Sequence, residues 1–354
     1  MPDIQVARIV EFGKPLEVGK AEKPVPGPND VLVKVEACCL VPNSHNLITN
    51  GDKLEGFALP KLPCVFGLDA AGIVEAVGDR VFGIKAGDRR TDLCLNCCLR
   101  AYFAQSPGGE KLLTHYPLGA LSEYLLSPDA NIALLPPSID FATASRFRYI
   151  GTSYAKLKKA DIGPGKVVLI NGVTGTLGYA AVAIALGLGC TKILGIGRNK
   201  ERLAELENLS ASGRVKTVSS EDEEDIPGWI EQQTNKLGPD ALYDCLGNGG
   251  DANLTSKWIG TVKKGGRVVL AAGGAEGKII QNYSEAMSRD VAVLGTNWFN
   301  SGEIDELIAL IDAGVIDFSF LRHEYFPLGK VNDAFKMVGD RPGGAVNVVV
   351  QSSK

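Results

Sequence analysis

No uninterrupted apolar run in these 354 residues approaches the roughly 20 that a membrane-spanning helix needs. The N-terminus, Met1-Pro2-Asp3-Ile4-Gln5, lacks the charged-then-apolar order of a secretion signal. Excess charge is also missing: the formal net charge is −4, which argues against a general nucleic-acid-binding surface. Eight cysteines in a chain this long do not make a disulfide framework and read as thiols in a reducing cytoplasm. There is no internal repeat and no low-complexity stretch. The remaining expectation is a globular α/β protein of about two domains, with a small-molecule substrate and with neither membrane nor nucleic acid as partner.

The most informative segment is Val168-Leu169-Ile170-Asn171-Gly172-Val173-Thr174-Gly175-Thr176-Leu177-Gly178. A short apolar strand, Val167 to Ile170, meets glycines spaced Gly172-x-x-Gly175-x-x-Gly178, and a helix-like run from Tyr179 to Leu188 follows. That order sets backbone N–H groups and the positive end of a helix where a pyrophosphate can sit. A glycine pattern alone is weak evidence. This one has its strand before it, its helix after it, and a second strand, Ile193 to Ile196, beyond.

What the second strand lacks is equally informative. NAD-binding units place Asp or Glu about 20 residues past the glycines to bond the ribose 2′-OH. Here the strand ends in Gly197-Arg198-Asn199-Lys200, followed by Arg202, with no carboxylate at the tip. Gly197 is expected to leave room and Arg198 to meet a 2′-phosphate, which points to NADP(H). The plainer alternative makes Arg198, Lys200 and Arg202 a solvated helix start, although cations there oppose the helix dipole slightly.

Residues 1 to about 140 read as β-rich, with strands near Val31–Glu36, Gly72–Val77 and Leu121–Leu126. From about 150 to 300, strands at Val167–Ile170, Ile193–Ile196, Val215–Val218, Ala241–Cys245, Arg267–Ala271 and Val291–Leu294 alternate with helices such as Ala252–Thr261. Such alternation predicts a doubly wound parallel sheet. Two helices, Ile304–Ala313 and Val331–Val338, and a strand, Val346–Val350, close the chain. The acidic run from Glu221 to Asp225 reads as a solvated helix start.

Five segments carry a family resemblance. They are Gly67-Leu68-Asp69-Ala70-Ala71-Gly72-Ile73-Val74 with Val77-Gly78; Gly87-Asp88-Arg89; Gly119-Ala120-Leu121-Ser122-Glu123-Tyr124; Gly172 to Gly178; and Asp244-Cys245-Leu246-Gly247. Together they make the chain resemble the medium-chain dehydrogenase/reductase superfamily over nearly its whole length. The resemblance implies a GroES-like β-rich catalytic domain (residues 1–150 and 301–354) and a Rossmann cofactor-binding domain (residues 151–300), with the substrate cleft between them. It is compatible with a homodimer. It implies further cofactor contacts at Gly247, Ala272, Gly273, Thr296 and Asn297, and at Asn347 near the pyrophosphate.

The superfamily has zinc alcohol dehydrogenases on one branch and zinc-free quinone or enoyl reductases on the other. The positions of the zinc ligands correspond here to Val41, Leu68 with Asp69, and Arg148. Only Asp69 is a metal-binding side chain, and one carboxylate does not make a tetrahedral zinc site. Cys38, Cys39 and Cys64 lie near in sequence, but Cys38 and Cys39 fall on a strand. A shortened remnant of a structural zinc lobe is expected at Cys94, Cys97 and Cys98, with His115 as the other soft ligand. The glycine loop resembles the quinone-reductase form, yet Val41-Pro42-Asn43 lacks that branch's Asn-Pro.

Without zinc, the negative charge that builds on oxygen during carbonyl or enone reduction needs a hydrogen-bond donor or general acid. The candidates are Asn43, Ser44, His45 and Asn46 on the loop after the early strand, plus Asp69, Arg148 and Tyr149. Arg148 has a plain alternative: pairing with Asp69 in the vacated metal pocket. The expected function is a zinc-independent, NADPH-dependent reductase of a carbonyl or activated C=C bond. An alcohol dehydrogenase with unusual zinc ligands and a non-catalytic NADPH-binding protein stand as alternatives.

Overall fold

The structure is a computed structural model, and it describes residues 3–51, 61–92, 115–116, 119–247, 249–272, 274–296 and 298–353. Six strands form one all-parallel sheet: Val167–Asn171, Lys192–Gly197, Val215–Ser219, Ala241–Asp244, Arg267–Leu270 and Ala292–Gly295. Numbered by their place in the chain, they lie in the order 3-2-1-4-5-6. This is the doubly wound order, and its switch point falls between Val167–Asn171 and Ala241–Asp244. The strands are fully apolar where they are central: Val168, Leu169, Ile170, Leu242 and Tyr243 have no exposed surface. Helices cover both faces, so alternation disappears and continuous apolar runs take its place.

A seven-stranded sheet is built mainly from the N-terminal part. Its spine is Asp30–Leu40, paired antiparallel with Ala70–Val77 on one side and with Val346–Gln351 on the other. The C-terminal strands Arg322–Pro327 and Val346–Gln351 therefore return to the N-terminal sheet. A three-stranded sheet of Glu17–Glu22, Asp3–Ile9 and Cys64–Val65 lies beside it. No helix among the described residues is long and apolar enough to cross a membrane.

Two helices join the layers. Phe147–Lys159 buries ten of its residues, and the apolar Thr176–Gly187 is buried along Gly178 to Ala185. The alanines at 180, 181, 183 and 185 let this second helix approach its neighbours closely, as a helix apolar on all sides must. The helix Ser301–Asp312 packs into the same core through Ile304 and Leu307.

The central strands lie within a residue of their expected limits, and the acidic run behaves as expected, with Asp225 capping Ile226–Gln233. The strand expected at Leu121–Leu126 runs Tyr124–Pro128, and two further differences bear on the site. The helix after the first parallel strand begins at Thr176, inside the glycine motif. Asn43 to Asn46 is not a loop but the first half of the helix Pro42–Asn50. Pro42 supplies a preset φ at the helix start, and the buried Ser44 hydroxyl accepts the Val41 N–H at 3.4 Å.

Candidate active site

The carboxyl ends of the parallel strands form one edge of the Rossmann-type sheet. Gly197 ends its strand on that edge, and Gly172, Gly247, Ala272 and Thr296 each stand one to three residues beyond a strand end there. Gly172 has φ +82°, in the left-handed region, and a side chain there would press on the Cys245 backbone. Gly178 serves a different purpose: a Cβ would lie 2.3 Å from the Val173 carbonyl oxygen, so only glycine lets the helix pack onto the loop. Gly175 caps the helix with no side-chain bond, and no acidic residue stands in the first turn. The first amides, at Thr176, Leu177 and Gly178, thus have no side-chain cap, the arrangement that receives an anion. Thr174 lies on the loop, and its carbonyl accepts the Gly344 N–H at 3.1 Å.

At the switch point, Asp244 is buried and joins the two central strands. Its Oδ2 accepts from Thr255 Oγ1 at 2.5 Å and from Asn171 Nδ2 at 3.1 Å, and its Oδ1 accepts the Leu246 N–H at 3.1 Å. The Cys245 thiol lies 3.0 Å from the Asn171 carbonyl oxygen, and burial holds its pKa well above the ordinary thiol range. It is a packed thiol rather than a nucleophile.

The tip of the second strand is more occupied than the sequence implies. Gly197 does not leave room for a ligand on its Cα: a Cβ would meet Thr174 Cγ2 at 2.9 Å and Leu203 Cδ2 at 3.0 Å. Asn199 caps the helix Lys200–Asn208, its side chain accepting the Arg202 N–H at 2.9 Å. Lys200 pairs with Asp222 at 2.7 Å, and Arg202 donates to the Arg341 carbonyl at 3.1 Å. Arg198 is exposed at the tip, with the Ser219 hydroxyl bonded to its carbonyl.

Asn347 corrects an expectation. Its side chain donates to the Ala142 carbonyl at 2.8 Å and contacts His323 Nδ1 at 3.1 Å, within the seven-stranded sheet. The residue that touches the glycine loop is Gly344, three positions earlier, where a Cβ would fall 2.4 Å from the Gly175 carbonyl oxygen. The buried Arg146 fixes that segment, donating to the carbonyls of Val346 at 2.8 Å and Gly344 at 2.5 Å. Burial brings the Arg146 pKa down to about 10. Sequence reading missed both residues; the Gly343-Gly344 pair was the available signal.

Across the junction lies the position of the family's metal. Asp69 is 3% exposed, and its Oδ2 accepts the Arg148 backbone N–H at 2.9 Å. Arg148 does meet Asp69, and its main-chain N–H is one of the contacts. Its guanidinium carbon sits 4.1 Å from the centroid of the Trp298 ring, in cation–π contact. Val41 and Leu68 are buried apolar residues, and burial with the nearby Asp69 charge pushes the Cys39 thiol up to about 12. Burial likewise raises Cys64 to about 11. Among the described residues, no three His, Cys, Asp or Glu side chains come together as a metal would require. An arginine, two aliphatic side chains and thiols that resist ionisation do not fit a catalytic zinc.

Tyr149 follows Arg148 on the helix and packs on the N-terminal core. Asn43 is half-buried in the first turn of Pro42–Asn50. His45 does not join this cluster: its ring stacks on Phe335, with centroids 4.4 Å apart and planes at 16°. Desolvation lowers its pKa, and Arg341 lowers it further. Asn46 accepts from Asn50 at 3.1 Å. Gly273 and Asn297, and the lobe cysteines Cys94, Cys97 and Cys98, lie outside the described residues; His115 meets Tyr116 edge-on at 4.7 Å.

Comparison with known proteins gives consistent matches. Residues 27–137 match the family model "Alcohol dehydrogenase GroES-like domain", and residues 176–313 match "Zinc-binding dehydrogenase". The quinone oxidoreductase of Sus scrofa is 30% identical over 316 residues, covering 87% of this chain and 85% of its own length. The quinone oxidoreductase of Homo sapiens is 29% identical, with 95% of this chain and 94% of its own covered. A solved structure from Sinorhizobium meliloti 1021, bound to NADP, superposes with TM-score 0.78 at 22% identity over 99% of this chain and 100% of its own; it speaks to the fold.

Proposed function

Since this chain belongs to the medium-chain dehydrogenase/reductase superfamily and is quinone oxidoreductase-like, we propose that it is a cytoplasmic, zinc-independent, NADPH-dependent reductase. Its substrate is a quinone or another small to medium molecule with a carbonyl or activated C=C bond. The observation that carries this reading is the vacated metal position, where Arg148 stands buried over Trp298 beside Asp69. The bound nicotinamide supplies the hydride. The chain's own residues do the rest. The glycine loop and the amides of Thr176, Leu177 and Gly178 hold the pyrophosphate, and Arg198 holds the 2′-phosphate. Gly247, Ala272 and Thr296, beyond the strand ends, belong to the track from adenosine to nicotinamide, to which the family resemblance also assigns Gly273 and Asn297. Arg148, fixed by Asp69, offers a cation to the oxygen on which charge develops, with Tyr149 and Asn43 as the neighbouring donors. A buried guanidinium meets such charge with little reorganisation, because few waters compete for it.

We place the division of the chain at residues 1–150 with 301–354 against 151–300. We further propose a homodimer that covers the exposed Ile280, Tyr283 and Met287 beside the edge strand Ala292–Gly295. Sedimentation of the purified protein is expected to give a dimer, and a monomer at micromolar concentration removes that part of the reading.

The test is NADPH oxidation with a panel of quinones, enones and aldehydes, alongside elemental analysis. The expected result is turnover of at least one class by protein holding well under one zinc per chain, unaffected by chelation. Activity lost on chelation and restored by zinc would overturn the zinc-independent mechanism. Tight NADPH binding with no turnover of any class would leave a cofactor-binding protein in place of an enzyme.

A further inference from the structure

Lys156 is the anomaly of the helix Phe147–Lys159. It is 1% exposed, among the largest fully buried side chains in the molecule. Lys158 and Lys159, its neighbours in sequence, behave ordinarily at the helix end: Lys158 pairs with Glu306 at the surface, and the exposed Lys159 donates to the Gly295 carbonyl at 3.1 Å. The Lys156 ammonium instead donates to the carbonyl of Trp298 at 3.2 Å. Glu303 is the acidic group whose charge favours its protonated form, but that carboxylate is committed to its own helix, accepting the Asn300 N–H at 2.8 Å in a capping box. Burial brings the Lys156 pKa down to about 8. A buried ammonium bonded to a carbonyl rather than to a carboxylate is costly, and an aliphatic side chain of the same length fills the space more cheaply. The charge needs a purpose beyond packing.

Its purpose lies in what Trp298 does. One helix grips this residue twice, two turns apart: Arg148 lies over the ring and Lys156 holds the carbonyl. Trp298 has φ +20°, unusual for a large aromatic residue, so its backbone needs an external hold. The flanks are fixed as well, at Gly295 by Lys159 and at Asn300 by the Glu303 cap. Trp298 also packs against both large cores, the one around the parallel sheet and the one around Leu40, Val41 and Leu68. It stands where the two halves meet, beyond the carboxyl end of the last parallel strand.

We infer that Lys156 is a positioning residue, whose buried ammonium holds the Trp298 backbone so that the indole stays under the Arg148 guanidinium and walls the substrate cleft. This rests on the reductase reading for the identity of the cleft, but the hold on Trp298 is a property of the chain itself.

The test uses Lys156→Met, Trp298→Phe and the double variant in the full chain. In Lys156→Met, turnover is expected to fall about 10- to 100-fold, as a displaced wall misorients substrate, with NADPH affinity within about threefold of native. Its melting temperature is expected to equal or exceed the native value. In the Trp298→Phe background, the same substitution is expected to cost little more, because the two act as one unit. Trp298 emission, read in each background as the difference made by Trp298→Phe (native minus Trp298→Phe, and Lys156→Met minus the double variant), is expected to lie further to the red in Lys156→Met. Additive losses in the double variant, an unshifted emission, or parallel losses of turnover, NADPH affinity and melting temperature would each overturn the inference. Should no substrate be turned over, the reductase reading fails by itself, and the emission and melting measurements still decide for or against Lys156.

Discussion

Arg148→Met is expected to lower turnover by about 10²- to 10³-fold, the usual loss when one preorganised oxyanion donor is removed. NADPH affinity should stay within about threefold, because the pyrophosphate and adenosine contacts belong to other elements. The argument rests on burial and anchorage. Arg148 is 5% exposed, its backbone is tied to Asp69 and its guanidinium is seated on Trp298. In such surroundings a fixed charge acts much more strongly than it does in water. Methionine keeps most of the aliphatic stem, so packing on Trp298 survives while the charge and donors go. Arg146→Met is the informative comparison, since that guanidinium is spent on the carbonyls of Val346 and Gly344. Its loss should appear in stability, as buried carbonyls lose their donors at about 1–3 kcal/mol. Native-like turnover by Arg148→Met would show that Tyr149, Asn43 or water meets the developing charge instead.

How much of this could be read beforehand depends on the range of the interaction. The parallel strands were legible because burial on both faces demands continuous apolar runs such as Val168-Leu169-Ile170, bounded by turns. The glycine loop was legible because its backbone geometry admits few residue types. Its helix start was not: three glycines read as loop, yet Gly178 lies inside the first turn because the Val173 backbone leaves no space for a Cβ. Asn43 to Asn46 read as loop for a similar reason, their polar composition hiding a helix that Pro42 begins. Lys156 was hidden among Lys156-Leu157-Lys158-Lys159, which reads as a basic, solvated helix end. Its partner is 142 residues away, and no local pattern announces a contact at that separation. Asn347 shows the reverse error: Gly344, three residues earlier, touches the glycine loop, while the Asn347 side chain is bonded to Ala142 and His323.

The second large effect is expected at the cofactor. Native protein should bind NADPH about 10- to 150-fold more tightly than NADH, the equivalent of roughly 1.5–3 kcal/mol for a charge-assisted bond. Arg198→Ala should remove most of that margin and leave NADH affinity nearly unchanged. The strand tip narrows the assignment to one guanidinium. Lys200 is engaged by Asp222, Arg202 by the Arg341 carbonyl, and the Asn199 side chain by the helix it caps. Arg198 alone among these stands exposed at the tip without such a commitment among the described residues, next to Gly197, whose packing on Thr174 and Leu203 holds the tip against the glycine loop. Exposure also sets the size of the effect. A bond in open solvent is screened by salt, so the preference should fall toward the lower figure at physiological ionic strength and grow as salt is removed. Paired titrations of NADPH and NADH at two salt concentrations, on native protein and Arg198→Ala, measure all of this. Equal affinity of native protein for both cofactors at low salt would remove Arg198 from the site and with it the assignment to NADPH.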